Sequence, residues 1–181
     1  MKNKKGLVMG VANQKSIAWG IAEVLSSEGA SLALTYQGDG FKKRVEPLAN
    51  SIGSNLIFDV DVTDESSVDQ CFNELSKEWG SLDFVVHALA FSDKSELSGR
   101  FINTSRQNFL NSLDISCFSL IDVSKRCSNL MKQGGAILTL SYLGSQRVTP
   151  NYNVMGVAKA ALESSVRYLA SDLGEDGIRV N

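Results

Sequence analysis

The stretch GLVMGVANQKSIAWGIA, residues 6–22, passes from a short apolar run into a helical pattern of apolar residues. We expect a buried strand over Gly6–Gly10 and a helix over Ser16–Ser27 that turns Ile17 and Ile21 to one face. The loop between them leads into a helix N-terminus, where free N–H groups and the helix dipole bind anions. The unit therefore predicts a site for the pyrophosphate of a dinucleotide. Because the pattern Gly-x-Gly-x-x-Gly is absent, a plain turn with an N-cap serine is the alternative.

Strand-like and helix-like segments alternate along the rest of the chain. The further predicted strands are Ser31–Tyr36, Asn55–Val62, Leu82–Leu89, Ala136–Ser141 and the start of a sixth at Ile178–Asn181. The further predicted helices are Gly40–Ser51 with a kink or restart at Pro47, a helix from an N-cap at Thr63 to about Trp79, Ser105–Lys132 and Asn151–Leu173. Strands that are apolar on both faces and alternate with helices are typical of an α/β fold, a Rossmann-type doubly wound parallel sheet with helices on both faces. Its ligand crevice is expected at the carboxyl ends of the strands.

The domain organisation follows from the length and the even patterning. A chain of 181 residues without a repeat, a low-complexity tract or a linker fits a single dinucleotide-binding domain over residues 1–181. Because the sequence stops at Asn181, at the start of a predicted strand, we expect this domain to be incomplete at its C-terminus, with its last strands missing.

Composition and charge argue against several classes of function. The formal net charge is −2, so the chain has no basic field for nucleic acid. No segment approaches the ~20 apolar residues of a membrane span, and we expect a cytoplasmic location without membrane association. The cysteines Cys71, Cys117 and Cys127 match no zinc or redox spacing, and the single histidine, His87, cannot form a metal site alone.

Polar residues at two predicted strand ends are candidates for cofactor binding. The second strand is followed by Gln37, Gly38 and Asp39, where an acidic residue that binds a ribose is expected. Asp39 is a candidate, although it comes slightly late and could be a turn residue. No arginine stands at this strand end, which favours NADH over NADPH. At the end of the third strand, Asp61 and Val62 could border an adenine ring, or Asp61 could cap the next helix.

The segment that follows the fifth strand contains the most informative pair of side chains. Tyr152 and Lys159 are seven positions apart, which is about two helical turns and ~10 Å of rise, so both would leave the same helix face. A lysine there could hold ribose hydroxyls and a tyrosine could donate to a substrate oxygen. The alternative is that Tyr152 packs and that Lys159 extends its charge to water along apolar surface.

Three stretches resemble a known family. SYLGSQRVTPNYNVMGVAKAALESSVRYLA (141–170), GVANQKSIAWGIA (10–22) and LTYQGD (34–39) are similar to the divergent enoyl-acyl-carrier-protein reductase branch of the short-chain dehydrogenase/reductase superfamily. The resemblance extends from Gly10 to Asn181. Most of the superfamily carries Tyr-x-x-x-Lys, whereas this branch carries the longer spacing that Tyr152 and Lys159 match.

The resemblance implies a bacterial type II fatty-acid synthesis enzyme that reduces the trans-2 double bond of enoyl thioesters with NADH. Its partner would be acyl carrier protein, and the full-length protein would form a homotetramer. Lys159 would bind the nicotinamide ribose, Tyr152 would lie near the thioester oxygen, Tyr142 would be a second active-site tyrosine, and Ser92 would lie beside the substrate. The residues implied to line the cofactor are Gly10, Ser16, Ile17, Gln37, Asp61, Val62 and Leu89. The chain departs from many relatives at Ala90, where they have glycine.

Two other functions compete with this one. A carbonyl or alcohol oxidoreductase of the same superfamily would need the shorter spacing, because that spacing puts the ammonium beside the phenol and lowers the phenol's pKa for proton transfer. A dinucleotide-binding module without turnover is the second alternative.

Overall fold

A six-stranded parallel sheet forms the centre of the molecule. The computed structural model describes residues 1–181, and its strands follow the order β3-β2-β1-β4-β5-β6. The strands are β1 (Lys5–Met9), β2 (Ser31–Tyr36), β3 (Leu56–Asp59), β4 (Phe84–His87), β5 (Gly135–Thr139) and β6 (Ile178–Val180). The helices are α1 (Ile17–Ser27), α2 (Asp39–Ser51), α3 (Glu65–Trp79), α4 (Arg106–Leu113), α5 (Ser119–Ser128) and α6 (Asn153–Gly174). This architecture confirms the predicted doubly wound α/β fold.

Helices cover both faces of the sheet because the strands are apolar on both sides. Successive residues of β1 point to opposite faces. Leu7 and Met9 join a core with α3, α5 and α6, whereas Val8 joins a second core with α1 and α2. The side chains of Leu7, Val8 and Met9 are all fully buried. The central strand therefore holds the two helical layers together.

The direction of winding reverses between β1 and β4, the two adjacent strands at the centre of the sheet. Met9 at the end of β1 pairs with His87 at the end of β4, so the loops that follow these strands diverge from one point. A crevice opens at such a switch point in a doubly wound sheet.

The helices differ from the predicted ones in their boundaries and interruptions. The N-cap of α3 is Asp64, whose carboxylate accepts from the N–H of Ser66, because the hydroxyl of the predicted cap Thr63 donates instead to Asp61. Helix α2 continues through Pro47, without a restart. Proline removes only one helical hydrogen bond here, and the buried side chains of Val45 and Ala49 on either side hold α2 on the sheet.

The predicted long helix over residues 105–132 is divided. A π-helical turn, Asp114–Phe118, separates α4 from α5, and α5 ends at Ser128. The first helix begins at Ile17 and the last at Asn153, so Ser16 and Tyr152 precede their helices. None of the helices combines the length and the apolarity that crossing a bilayer would require.

Candidate active site

A cleft of about 660 Å³ lies where the carboxyl ends of β1, β2, β3 and β4 meet. Five of the predicted cofactor residues line it: Gly10, Gln37, Asp61, Val62 and Leu89. Ser16 and Ile17 lie outside its lining, at the start of α1, and Ile17 is exposed. Lys159, the eighth residue predicted to bind the cofactor, also lies outside the lining. The lining also contains Phe41 and Ala90, and it includes no lysine or arginine.

The turn after β1 requires glycine at its first position. Gly10 has φ +92°, and a Cβ on it would lie 2.1 Å from the carbonyl oxygen of Ala88. The turn therefore runs against the backbone that follows β4, and an L side chain would push the two apart.

The start of α1 leaves backbone donors available. The Ser16 hydroxyl donates to the carbonyl of Asn13 at 2.6 Å and makes no side-chain cap on the helix. Ser16 therefore occupies the N-cap position, but its side chain does not cap the helix, because the hydroxyl bonds the preceding loop instead. The first-turn N–H groups, together with the helix dipole, can receive an anion.

At the ends of β2 and β3, carboxylates fix the backbone. The N–H of Gly38 donates to Asp59 at 2.8 Å. Burial raises the pKa of Asp61, but hydrogen bonds from Thr63 and Gln37 outweigh it and hold that pKa below its usual value. Asp39 is the exposed first residue of α2 and does not line the cleft. Sequence reasoning missed Asp59, which lies beside the turn where Asp39 was expected to act.

The side chains of Tyr152 and Lys159 both contact the segment that follows β5. The Nζ of Lys159 donates to the carbonyl of Leu140 at 2.7 Å, and the side chain is buried. The rings of Tyr152 and Tyr142 are tilted against each other with centroids 4.7 Å apart. Burial lowers the pKa of Lys159; burial, with Tyr142 nearby, raises the pKa of Tyr152. Tyr152 therefore holds its proton, and can donate it in a hydrogen bond.

The loop after β4 is held by two side chains, Asn108 and Ser116, that no sequence motif singles out. The buried amide of Asn108 accepts from the N–H of Asp93 and bonds the hydroxyl of Ser92. Ser116, in the π-helical turn, bonds both the N–H and the carbonyl of Phe91. Ser92 lies outside the lining of the cleft, next to Phe91, which is part of it.

His87 lies completely buried at the end of β4. Its ring nitrogens are 3.0 Å from the Thr139 hydroxyl and 2.8 Å from the Ser119 hydroxyl. Burial, with the nearby Lys159 charge, lowers the pKa of His87 to about 4, so the ring is neutral at physiological pH. It joins β4, β5 and α5 beneath the site. No cluster of three or more His, Cys, Asp or Glu side chains could hold a metal ion.

Comparison with known proteins identifies close similarity over the whole chain. The family model described as Enoyl-(Acyl carrier protein) reductase matches residues 10–181. An enoyl-acyl-carrier-protein reductase (NADH) of Rhizobium meliloti is 58% identical over 181 residues, and the match covers 100% of this chain and 66% of that protein. The corresponding enzyme of Rickettsia typhi is 53% identical, with 100% and 69% covered.

Solved structures give the same result. The enoyl-acyl-carrier-protein reductase of Anaplasma phagocytophilum, in complex with NAD, superposes with a TM-score of 0.98 at 58% identity and covers 100% of this chain and 69% of that one. The Bacillus cereus enzyme, with NADP⁺ and an indole naphthyridinone, gives 0.98 at 48% identity, with 99% and 71% covered. This chain thus spans about two thirds of the length of these relatives.

Proposed function

This chain belongs to the enoyl-(acyl carrier protein) reductase family, and we propose that it reduces the trans-2 double bond of enoyl thioesters carried by acyl carrier protein, with NADH, in bacterial type II fatty-acid biosynthesis. The observation that carries the proposal is the convergence of Tyr142, Tyr152 and Lys159 on the segment after β5. The identity of 58% to an enoyl-acyl-carrier-protein reductase (NADH) of Rhizobium meliloti supports it.

The cleft fits a dinucleotide. The close turn at Gly10 and the uncapped start of α1, with Ser16 and Ile17, would receive the pyrophosphate. Gln37 would border the adenosine ribose, Asp61 and Val62 the adenine, and Leu89 the nicotinamide half. Lys159 would hold the nicotinamide ribose. The absence of lysine and arginine from the cleft lining favours NADH, since nothing there would neutralise a 2′-phosphate.

We assign the chemistry on the thioester to three side chains outside the cleft lining: Tyr142, Tyr152 and Ser92. Bound NADH would supply a hydride to the β-carbon of the enoyl group. Negative charge would then develop on the thioester oxygen, and the protonated Tyr152 phenol would stabilise it more strongly than the starting carbonyl. A proton taken from water at the α-carbon would complete the saturated acyl chain. Tyr142 would flank the same oxygen, and Ser92 would lie beside the acyl chain.

The carbonyl-reductase alternative needs a tyrosine that gives up its proton readily. Such an enzyme lowers the phenol's pKa with a neighbouring ammonium. In this chain the pKa of Tyr152 is raised by burial, and the Lys159 ammonium is bound to the Leu140 carbonyl. Both observations favour a tyrosine that donates a hydrogen bond over one that transfers its proton.

Steady-state assays of the full-length protein test the proposal. We expect NADH oxidation with crotonyl thioesters and none with acetoacetyl thioesters; the reverse preference would support the carbonyl reductase.

Tyr152→Phe should lower kcat by about 10²-fold, the usual effect of losing one such donor, with the Kd for NADH unchanged. If NADH quenches the fluorescence of Trp19 and Trp79 but no thioester is reduced, the chain is a binding module.

We also propose that the full-length protein is a cytoplasmic homotetramer. Several large apolar side chains on α4, the π-helical turn and α6 are exposed: Leu110, Phe118, Val157 and Tyr168. Val157 and Tyr168 are eleven positions apart, which is about three helical turns, so they share one face of α6. Large apolar side chains exposed on neighbouring helices are the kind of surface that a subunit interface covers.

A further inference from the structure

The segment Ser141–Gln146 carries Tyr142 from the end of β5 to the next loop, and its shape depends on α6. Lys159 of α6 binds the carbonyl of Leu140, immediately before the segment. The segment then makes a single turn, in which the N–H of Ser145 donates to the carbonyl of Tyr142 at 2.9 Å. The Tyr142 side chain is half exposed, so little packing holds the phenol directly.

Glu163 of α6 binds this segment on both sides of Tyr142. The hydroxyls of Ser141 and Ser145 both donate to the same carboxylate oxygen, Oε1 of Glu163. Glu163 follows Lys159 by four positions, so both side chains leave the same face of α6. The two hydroxyls hold the pKa of Glu163 below its usual value, and the group is a carboxylate at neutral pH.

Two glycines bring the segment against α6. A Cβ on Gly144 would lie 2.5 Å from a ring carbon of Tyr152, and a Cβ on Gly156 would lie 2.8 Å from the carbonyl oxygen of Gly144. The backbone is therefore packed directly on the start of the helix, beside Tyr152. With the rings of Tyr142 and Tyr152 already in contact, a small shift of the segment would move the Tyr142 phenol relative to its neighbour.

We propose that Glu163 is a positioning residue that acts through Tyr142: by holding the hydroxyls of Ser141 and Ser145, it fixes the turn that places the Tyr142 phenol toward the enoyl thioester. This inference rests on the proposed function, because it assigns a purpose to the geometry of Tyr142. Glu163 itself is not part of the cleft lining, and its carboxylate accepts from the two serine hydroxyls rather than from a phenol.

The test compares substitutions of Glu163 with a matched control on the same helix. Glu163→Ala should lower kcat for crotonyl thioester reduction at least tenfold, because misplacing a reacting group by about 1 Å can cost on the order of 10²-fold. Glu163→Gln keeps an acceptor oxygen for the serine hydroxyls, so its kcat should stay within about threefold of the wild-type kcat. The small loss is expected because a hydrogen bond to a neutral amide is about half as strong as one to a carboxylate. Asp172→Ala removes an exposed carboxylate further along α6 and should leave kcat unchanged.

Two further measurements separate positioning from general destabilisation. The wild-type amides of Ser145, Gln146 and Arg147 are hydrogen-bonded within the turn, so hydrogen exchange of the cofactor-free protein should speed up there in Glu163→Ala and not in Asp172→Ala. On a Tyr142→Phe background, Glu163→Ala should lower kcat little further, because the phenol that it positions is already gone. The Kd for NADH should be the same in all variants.

The outcomes are distinct. If the wild type does not reduce enoyl thioesters, the proposed function fails. If the wild type is active and Glu163→Ala has wild-type kcat, or loses the same factor with and without the Tyr142 hydroxyl, the positioning role is wrong and the proposed function stands.

Discussion

Among single residues, Gly10 is the one whose substitution should most directly weaken cofactor binding. Gly10→Ala places a methyl group 2.1 Å from the Ala88 carbonyl oxygen, at a φ of +92° that costs an L-residue about 1–2 kcal/mol. The turn must move, and it carries the start of α1 with it. We expect NADH to bind at least tenfold more weakly, measured by fluorescence titration, since each 1.4 kcal/mol is about tenfold.

Gly20→Ala is the matched control for this prediction. Gly20 lies within α1, and a Cβ on it would meet nothing within 4 Å. Alanine favours helix over glycine by about 1 kcal/mol, so thermal stability should rise or stay constant and the affinity for NADH should not change. Wild-type affinity in Gly10→Ala would contradict the role assigned to this turn.

The position of cleft residues could be predicted from sequence because the carboxyl ends of parallel strands border one crevice. Gly10, Gln37, Asp61 and Leu89 lie at or next to predicted strand ends, and the structure places all four in the cleft. Their functional roles stay predictions. Asp59 and Glu163 were missed because their partners lie 18 or more positions away, and only the tertiary fold brings them together.

At the scale of elements, the packing of α3 against α5 depends on Arg126. Its guanidinium binds Asp122 on its own helix and Asp69 of α3, and it also reaches the carbonyl of Glu65. Asp122 is almost completely buried, with its side chain 10% exposed. Arg126→Met would leave that carboxylate without a cation, and we expect the free energy of unfolding in urea to fall by about 3 kcal/mol.

A second substitution checks the cause of that loss. Arg126→Met combined with Asp122→Leu should recover most of the stability, because the unpaired charge is then gone. Lys77→Met breaks an exposed ion pair with Glu74 and should cost less than about 0.5 kcal/mol. An equal loss in the single and double Arg126 variants would show that the carboxylate is not the reason.

The division of the predicted helix over residues 105–132 has a physical reason that the sequence pattern does not display. Within the π-helical turn, Ser116 bonds the backbone of Phe91, and just beyond it Ser119 contacts the His87 ring. Both contacts reach across to β4 and its following loop. Serine gives no periodic signal of its own, so apolar spacing predicted one uninterrupted helix. Irregular turns of this kind are frequent at functional sites.

At the scale of the whole molecule, the topology was predictable because strands that are apolar on both faces and alternate with helices admit few arrangements. The six predicted strands all exist, although most are shorter than predicted. Val62 lies beyond the end of β3 and Leu89 beyond the end of β4, because a strand ends where its ladder partners diverge and not where apolar residues end. Which surface takes part in association could be proposed only after exposure was known.

The exposed apolar side chains on α4, the π-helical turn and α6 predict where the subunits of a tetramer would meet. Phe118→Asp places a charge on this surface, where Phe118 is 49% exposed. If the surface is a subunit interface, the buried charge would lack a partner and association should weaken. We expect light scattering after size-exclusion chromatography to give a smaller assembly for the full-length variant than for the wild type. Val24→Asp is the control, since Val24 is 62% exposed on α1 in the opposite helical layer. A wild-type tetramer that survives Phe118→Asp unchanged would place the interface elsewhere, and an equal loss in both variants would point to solubility as the cause.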